Sequence, residues 1–287
     1  MENVIEAKNL TYSYGKTLAV DHVGFTVSKG EIIGFLGPNG AGKTTTFKML
    51  IGLLKPQEGE AKILGMDVAT EIKKIQEHIG VCFEYTNLYE DMSAKDNLVF
   101  FAELFDIKDF NPFALLKRVG LQGKEKDRVS TFSKGMKQRA MVARALVNKP
   151  KVLFLDEPTS GLDPVSSEEI RSIILEERDR GATIFLTTHD MYEADKLSDR
   201  VAFINQGQIV AFDTPHNLKQ QYGKRTVKAL VKGKGDILEE RTITLDKEET
   251  PDSIYKLFKK ETVVTLHSEE ATLEDIFIKI TGRGLKE

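Results

Sequence analysis

"EIIGFLGPNGAGKTTTFKMLIGLL", residues 31–54, runs from an apolar stretch through a glycine-rich octet into a helix-forming tail. The octet, Gly37 to Thr44, fits the phosphate-loop pattern G-x-x-x-x-G-K-[ST]. Its surroundings agree: residues 31–37 predict a strand, and "TTFKMLIGLL" predicts a helix continuing until Pro56. Gly37, Gly40 and Gly42 let the backbone curl so that successive N–H groups point inward at an anion, with a helix N-terminus behind them. Lys43 adds a point charge toward the phosphates, and the Thr44 hydroxyl is suited to Mg²⁺. The expected nucleotide-binding run is therefore Gly37, Pro38, Asn39, Gly40, Ala41, Gly42, Lys43, Thr44 and Thr45. A turn that binds nothing would need Gly, Lys and Thr to fall into this register by chance between a strand and a helix.

Working outward, "KVLFLDEP" (151–158), "ATIFLTTH" (182–189) and "VAFINQGQIVAF" (201–212) also read as strands. The middle ones are so apolar that they belong inside a sheet covered on both faces, with the chemistry at their C-terminal ends. Asp156 closes one such strand and is placed to hold Mg²⁺ through water. Glu157 follows as a carboxylate able to orient or deprotonate an attacking water. Between residues 90 and 147 the pattern turns helical, in "SAKDNLVFFAELF", "PFALLKRVG" and the basic run after Gly135, and reads as an insertion in an α/β core. From about residue 221, "QYGKRTVKALVKGKG" brings Gly and Lys punctuation and then short strand and helix signals. A boundary is expected there, giving residues 1–220 as a nucleotide-binding domain and 221–287 as a small α+β accessory domain.

The bulk numbers fit this division. A chain of 287 residues with 40% hydrophobic residues can bury a sizeable core. Its 41 Lys plus Arg nearly balance 44 Asp plus Glu, and the net charge of −3 argues against a nucleic-acid binder that relies on bulk positive charge. The single cysteine, Cys82, suits a reducing compartment. The N-terminal stretch has no signal-peptide form, and no apolar run approaches the roughly 20 residues needed to span a bilayer. The expectation is a cytoplasmic chain.

One string, "FSKGMKQR" (132–139), is explained by neither core packing nor a phosphate loop: a hydroxyl, a lysine and a glycine stand directly before a basic helix. Taken with "GPNGAGKT", "LFLDEPTSGLD" and "TTHD" in this order and spacing, it makes residues 4–215 resemble the ATP-binding subunit of an ABC transporter. The tail "ATLEDIFIKITGRG" is similar to that of the antibiotic and multidrug exporter branch. The resemblance implies a phosphate-loop NTPase core with an antiparallel β edge and a helical subdomain, ATP and Mg²⁺ as ligands, and ATP hydrolysis driving transport. It implies a chain peripheral to the cytoplasmic face of the membrane, separately encoded permease subunits, and a second ATP-binding subunit, a copy of itself before a different ATPase.

The family's site residues carry over by position. Ser133 and Gly135 stand where the family signature contacts the γ-phosphate of ATP on the opposite subunit. Lys134 and Met136 depart from the usual Gly and Gln, and Lys134 reads either as phosphate-attracting or as a solvated surface lysine. Tyr14 matches the aromatic that stacks on adenine, Asp163 the loop linking the two ATP sites, and His189 the switch histidine at the γ-phosphate. Glu84, in "IGVCFEYTNLYE", occupies the slot of the family glutamine. A glutamate there only accepts hydrogen bonds and brings negative charge toward the triphosphate; it is either a metal ligand alongside Thr44 and Asp156 or a solvated loop residue. Two other classes remain. Non-transport ABC ATPases carry tandem cassettes or long coiled coils, neither of which is seen here, and an ordinary phosphate-loop kinase or GTPase leaves "FSKGMKQR" and "SGLD" unexplained.

Overall fold

The computed structural model describes residues 2–224, 226–233, 237–245, 247–282 and 284. Arg225, residues 234–236 of the Gly- and Lys-punctuated stretch, and Arg283 of the terminal "TGRG" lie outside the described residues. The chain divides into two compact units between Phe212 and Asp213. The expected boundary at about 221 falls instead at the end of a helix belonging to the second unit.

The first unit opens with β1 (Asn3–Tyr14) and β2 (Thr17–Ser28), then β3 (Ile32–Leu36) leads into the phosphate loop and α1 (Lys43–Leu50). Next come β4 (Glu58–Ile63), β5 (Met66–Asp67), α2 (Val68–Gln76) and β6 (Ile79–Cys82). The predicted helical stretch contains α3 (Ala94–Leu104), α4 (Pro112–Arg118) and α5 (Lys134–Ala145). β7 (Val152–Asp156), α6 (Pro164–Asp179), β8 (Thr183–Thr188), α7 (Met191–Leu197), β9 (Arg200–Asn205) and β10 (Gln208–Asp213) complete it.

Two sequence expectations need correction. The helix after the phosphate loop stops at Leu50, ahead of Gly52 and well short of Pro56, because Gly52 takes a left-handed φ of 75° that ends the helical path. "VAFINQGQIVAF" is two strands, broken at Gln206 and Gly207, both at positive φ.

The central sheet has the order β10-β9-β3-β8-β7-β6, with β9, β3, β8, β7 and β6 paired in parallel. An antiparallel sheet, β2-β1-β4-β5, forms the expected β edge. Alternate residues of the central strands serve two cores, the period-2 consequence of a sheet covered on both faces. Ile33, Phe35, Phe154 and Phe185 pack with the antiparallel sheet, α1 and α2. Ile32, Leu153, Leu155, Ile184 and Leu186 pack with α3, α5 and α6. Phe185 is a hub on the first face, its ring centroid 5.4 Å from Phe35 and 5.8 Å from Phe154 and Phe25. Full burial of each such ring is worth about 1.5–3 kcal/mol. Cys82 is a core residue, its thiol pushed up to about 12 by burial.

The second unit holds α8 (Pro215–Tyr222), β11 (Thr226–Lys232), β12 (Leu238–Thr244), α9 (Thr250–Lys260), β13 (Thr262–Glu269) and α10 (Leu273–Thr281). Its sheet, β12-β11-β13, is antiparallel. Ala229 and Val231 pack with Leu257 of α9 in a small core. No helix among the described residues is long and apolar enough to cross a membrane.

Strand β6 seats α5 by close approach. A Cβ at Gly80 would overlap the carbonyl oxygen of Ala145, so backbone meets backbone there. Gly80→Ala should therefore cost about 1–3 kcal/mol through overpacking. The check is the urea midpoint, and an unchanged midpoint would contradict this contact.

Candidate active site

Parallel pairing in the order β3-β8-β7 brings three C-terminal strand ends side by side, and each delivers part of one site. From β3 comes the phosphate loop. Gly42 has φ 107°, and a Cβ on it would lie 2.5 Å from the Ala19 carbonyl oxygen, so the turn into α1 requires glycine. Lys43 is almost fully buried, and its Nζ donates to the carbonyl oxygens of Gly37 at 2.7 Å and Pro38 at 3.4 Å. It also pairs with Glu157 Oε1 at 3.3 Å. Three acceptors account for the three protons of the ammonium, as a buried cation requires.

From β7 come the adjacent acids. Asp156 Oδ1 accepts the hydroxyl proton of Thr187 on β8. Burial pushes its carboxyl above the usual carboxylate range; the charges of Glu157 and Glu84 push the same way, while Thr187 and Lys43 oppose them. Glu157 sits at φ 49°, a left-handed conformation that costs a non-glycine residue about 1–3 kcal/mol. Its N–H donates to the Thr187 carbonyl at 3.0 Å and lies 3.2 Å from the Thr187 hydroxyl, so β8 holds the bend. From beyond β8, His189 donates its backbone N–H to Glu157 Oε2 at 3.3 Å and sets Nδ1 2.7 Å from the same oxygen. One carboxylate thus spans a buried lysine and a half-exposed histidine.

Lys43, Glu157 and His189 line a cavity of about 540 Å³, and Asp156 lies outside its lining. Tyr14, Pro38, Asn39, Gly40, Gly42, Lys43, Thr44, Thr45, Glu84, Glu157 and His189 face it. Gly37 contributes the carbonyl that holds Lys43, and Ala41 is buried behind the loop. Tyr14 stands at the rim, half exposed, edge-on to Tyr12 with centroids 4.9 Å apart. Sequence reasoning missed Ser160 and Ala19, which also line the cavity, and Thr187, which positions both acids. The "TT" of "LTTHD" was the available signal for Thr187, at the end of a strand beside the acidic one.

Ser133, Gly135 and Asp163 do not line this cavity. Ser133 caps α5, its Oγ accepting the Met136 N–H at 3.3 Å, and Gly135 faces Ser166. Asp163 caps α6, accepting from Val165 N at 3.1 Å, Ser166 N at 3.0 Å and Ser166 Oγ at 2.7 Å; the Ser166 hydroxyl holds its carboxyl below the usual range. Lys134 is exposed, and its Nζ lies over Gly161 of the "SGLD" loop of its own chain.

Among the described residues no group of three or more His, Cys, Asp or Glu forms a metal cage. The donors present are hard oxygens: the Thr44 hydroxyl, Asp156 and Glu84. That set fits Mg²⁺, which keeps waters and takes phosphate oxygens rather than demanding an all-protein cage. Burial is the main cause that raises Asp156, and the carboxylate charges of Glu157 and Glu84 that add to it are what a divalent cation would relieve.

A family profile described as ABC transporter matches residues 20–160. Over 284 residues, 98% of this chain and 94% of the relative, the chain is 45% identical to a fluoroquinolones export ATP-binding protein of Mycobacterium tuberculosis. The chain belongs to the ABC transporter family. It is an ATP-binding subunit and an ATPase. It is also 37% identical to the bacitracin transport ATP-binding protein of Bacillus licheniformis, with 99% of each chain covered. Among solved structures, a dimeric ATP-binding cassette in a post-hydrolysis state bound to ADP and Pi superposes with a TM-score of 0.66 at 26% identity, covering 73% of this chain and 98% of that one.

In this ABC subunit Lys43 touches both the phosphate loop and Glu157. Lys43→Ala should remove a charge-assisted phosphate contact of about 1.5–3 kcal/mol, weakening ATP binding ten-fold or more. Calorimetric titration of the chain with ATP checks this, and unchanged affinity would refute the phosphate-loop assignment.

Proposed function

We propose that this ATPase drives export through separately encoded membrane subunits by ATP-dependent closure of a dimer. The observation that carries the reading is the division of the site. The cavity holds the phosphate loop, Glu84, Glu157 and His189, whereas Ser133 and Gly135 head a different helix outside it. A second subunit presenting its Ser133 and the N–H groups of its α5 to the γ-phosphate completes the site, because a helix N-terminus favours an anion. Tyr14 at the rim offers a ring face for adenine. Two ATP molecules between two such chains hold the faces together, and hydrolysis removes the γ-phosphate contacts and lets them part.

Within one site the chain's own groups have distinct tasks. Lys43 turns from Glu157 to the β- and γ-phosphates when ATP arrives, which releases Glu157 Oε1 to accept a proton from the attacking water. His189 keeps Glu157 oriented through Nδ1. With that bond made, Nε2 is the ring nitrogen left to meet a γ-phosphate oxygen. Thr44, Asp156 and Glu84 would hold Mg²⁺, which supplies positive charge to the phosphate oxygens when bound.

Coupling to the membrane falls to a second cavity in the same unit, about 290 Å³, lined by Leu53, Phe83, Phe101, Phe105 and Arg144. Arg144 forms its floor, donating to the Val81 carbonyl at 2.6 Å and stacking over Phe101 at 5.1 Å. This apolar groove beside the Glu84 loop suits a helix of the membrane subunit, and the need for ATP supports the cytoplasmic face. The mycobacterial relative, a fluoroquinolones export ATP-binding protein, supports the export direction.

Glu157→Gln should keep ATP binding, slow hydrolysis by about 10²–10⁴-fold and let the closed dimer accumulate, since an amide takes no proton from water. Ser133→Ala in the same background should weaken that dimer. Size-exclusion chromatography in Mg-ATP decides, and a wholly monomeric Glu157→Gln variant would overturn closure between identical copies.

Glu84 is open to a separate measurement. Its carboxylate attracts metal and repels metal-free triphosphate, so Glu84→Gln should tighten ATP binding without Mg²⁺ and shift the Mg²⁺ dependence of hydrolysis to higher concentration. Affinities unchanged in both conditions would put Glu84 in solvent.

A further inference from the structure

Glu193 is a carboxyl group that the reaction described above does not use. It lies on α7, one turn beyond His189, and is 1% exposed. Its N–H donates to Asp190 Oδ1 at 3.2 Å, so its backbone is tied to the residue that follows His189. Its side chain reaches a different segment: Oε1 accepts the Thr159 hydroxyl at 2.7 Å. Oε2 has no hydrogen-bond partner among the described residues. The Thr188 hydroxyl is turned toward the same carboxyl while accepting the Asp190 N–H at 3.0 Å. Burial pushes Glu193 above the usual carboxylate range; Thr159 and Thr188 oppose this, Asp190 adds to it and Arg171 of α6 opposes it.

A half-satisfied buried carboxyl is an expensive way to fill space, and a Leu or Met would pack there more favourably. What a hydrocarbon lacks is the acceptor for Thr159. Thr159 belongs to the turn that runs from Glu157 to Asp163. That turn is closed internally by Ser160 N–H to Glu157 O at 3.2 Å and Leu162 N–H to Thr159 O at 3.2 Å. The Thr159 hydroxyl bond therefore fastens the turn to the helix that begins directly after His189.

We propose that Glu193 is a positioning residue for ATP hydrolysis: through Thr159 it clamps the Glu157–Asp163 turn to the His189 segment, so that the two move as one body. The clamp rests on the reading of Glu157 as base, His189 as γ-phosphate contact and Asp163 as a dimer-facing residue. A shift of His189 on phosphate binding or loss then reaches Asp163 through one buried hydrogen bond.

The test uses the full chain with Mg-ATP and the variants Glu193→Ala, Glu193→Gln and Thr159→Val. Glu193→Ala and Thr159→Val should each lower kcat by about ten-fold or more with KM changed less than about two-fold, because positioning is lost while ATP contacts remain. The double variant should be no worse than either single one. Glu193→Gln should restore most of kcat, since its amide oxygen still accepts the Thr159 hydroxyl. Independently of activity, amide hydrogen exchange at Ser160 and Leu162 should accelerate about ten-fold in Glu193→Ala and Thr159→Val, with the Gly40–Thr44 amides unchanged. Additive losses, a Glu193→Gln variant as impaired as Glu193→Ala, or unaltered exchange at Ser160 and Leu162 would overturn the clamp. If Glu193→Ala does not fold, Thr159→Val and Glu193→Gln carry the same comparison. Glu157→Gln separates the two readings: wild-type turnover in that variant sinks the site assignment itself, whereas a dead Glu157→Gln beside a fully active Thr159→Val sinks only the clamp.

Discussion

The Glu157 carboxylate, held between the Lys43 ammonium and the His189 ring, is the constraint on which the site depends. It joins three strand ends with one side chain: the loop after β3 through Lys43, β7 through its own backbone, and the segment after β8 through His189. A left-handed φ at a bulky, charged residue is unfavourable alone. Here two hydrogen bonds to Thr187 hold it, and the same Thr187 hydroxyl satisfies Asp156. Without the β7-β8 register that sets Asp156 opposite Thr187, Glu157 would not be aimed into the cavity.

That arrangement also explains why the site is electrostatically tense without a ligand. Glu157 and Glu84 face the cavity beside the buried Lys43, and burial together with these two neighbouring charges raises Asp156. A divalent cation with a triphosphate brings both the missing positive charge and new acceptors for Lys43.

The small C-terminal unit follows a different physical logic. It packs Ala229 and Val231 against Leu257, buries Leu218 of α8 and Leu273, Ile276 and Phe277 of α10, and leaves Tyr255 and Phe258 exposed on α9. Small cores bury proportionally less surface, so such a unit contributes little stability by itself. A cavity of about 390 Å³ in this unit is lined by His216, Lys219, Lys224 and Glu270, without the phosphate loop of the first unit.

The phosphate loop, the acidic strand end and the helical insertion were legible in the sequence because each is written locally. A glycine pattern, an apolar run closed by "DE" and a change of period from 2 to 3.6 need no distant partner to be recognised. The early stop of α1 at Leu50 and the break at Gln206–Gly207 were misread, since an apolar run does not by itself reveal where a glycine takes positive φ. Other features depend on residues far apart in the chain. Thr187 under both acids, Ser160 in the cavity wall and the reach of Glu193 to Thr159 arise only when parallel strands are set side by side. Sequence alone determined which residue types could bind and hydrolyse a triphosphate. Tertiary structure decided which of them face one cavity, and it left Ser133, Gly135 and Asp163 outside, because strand order and helix termini, not spacing along the chain, set where side chains converge.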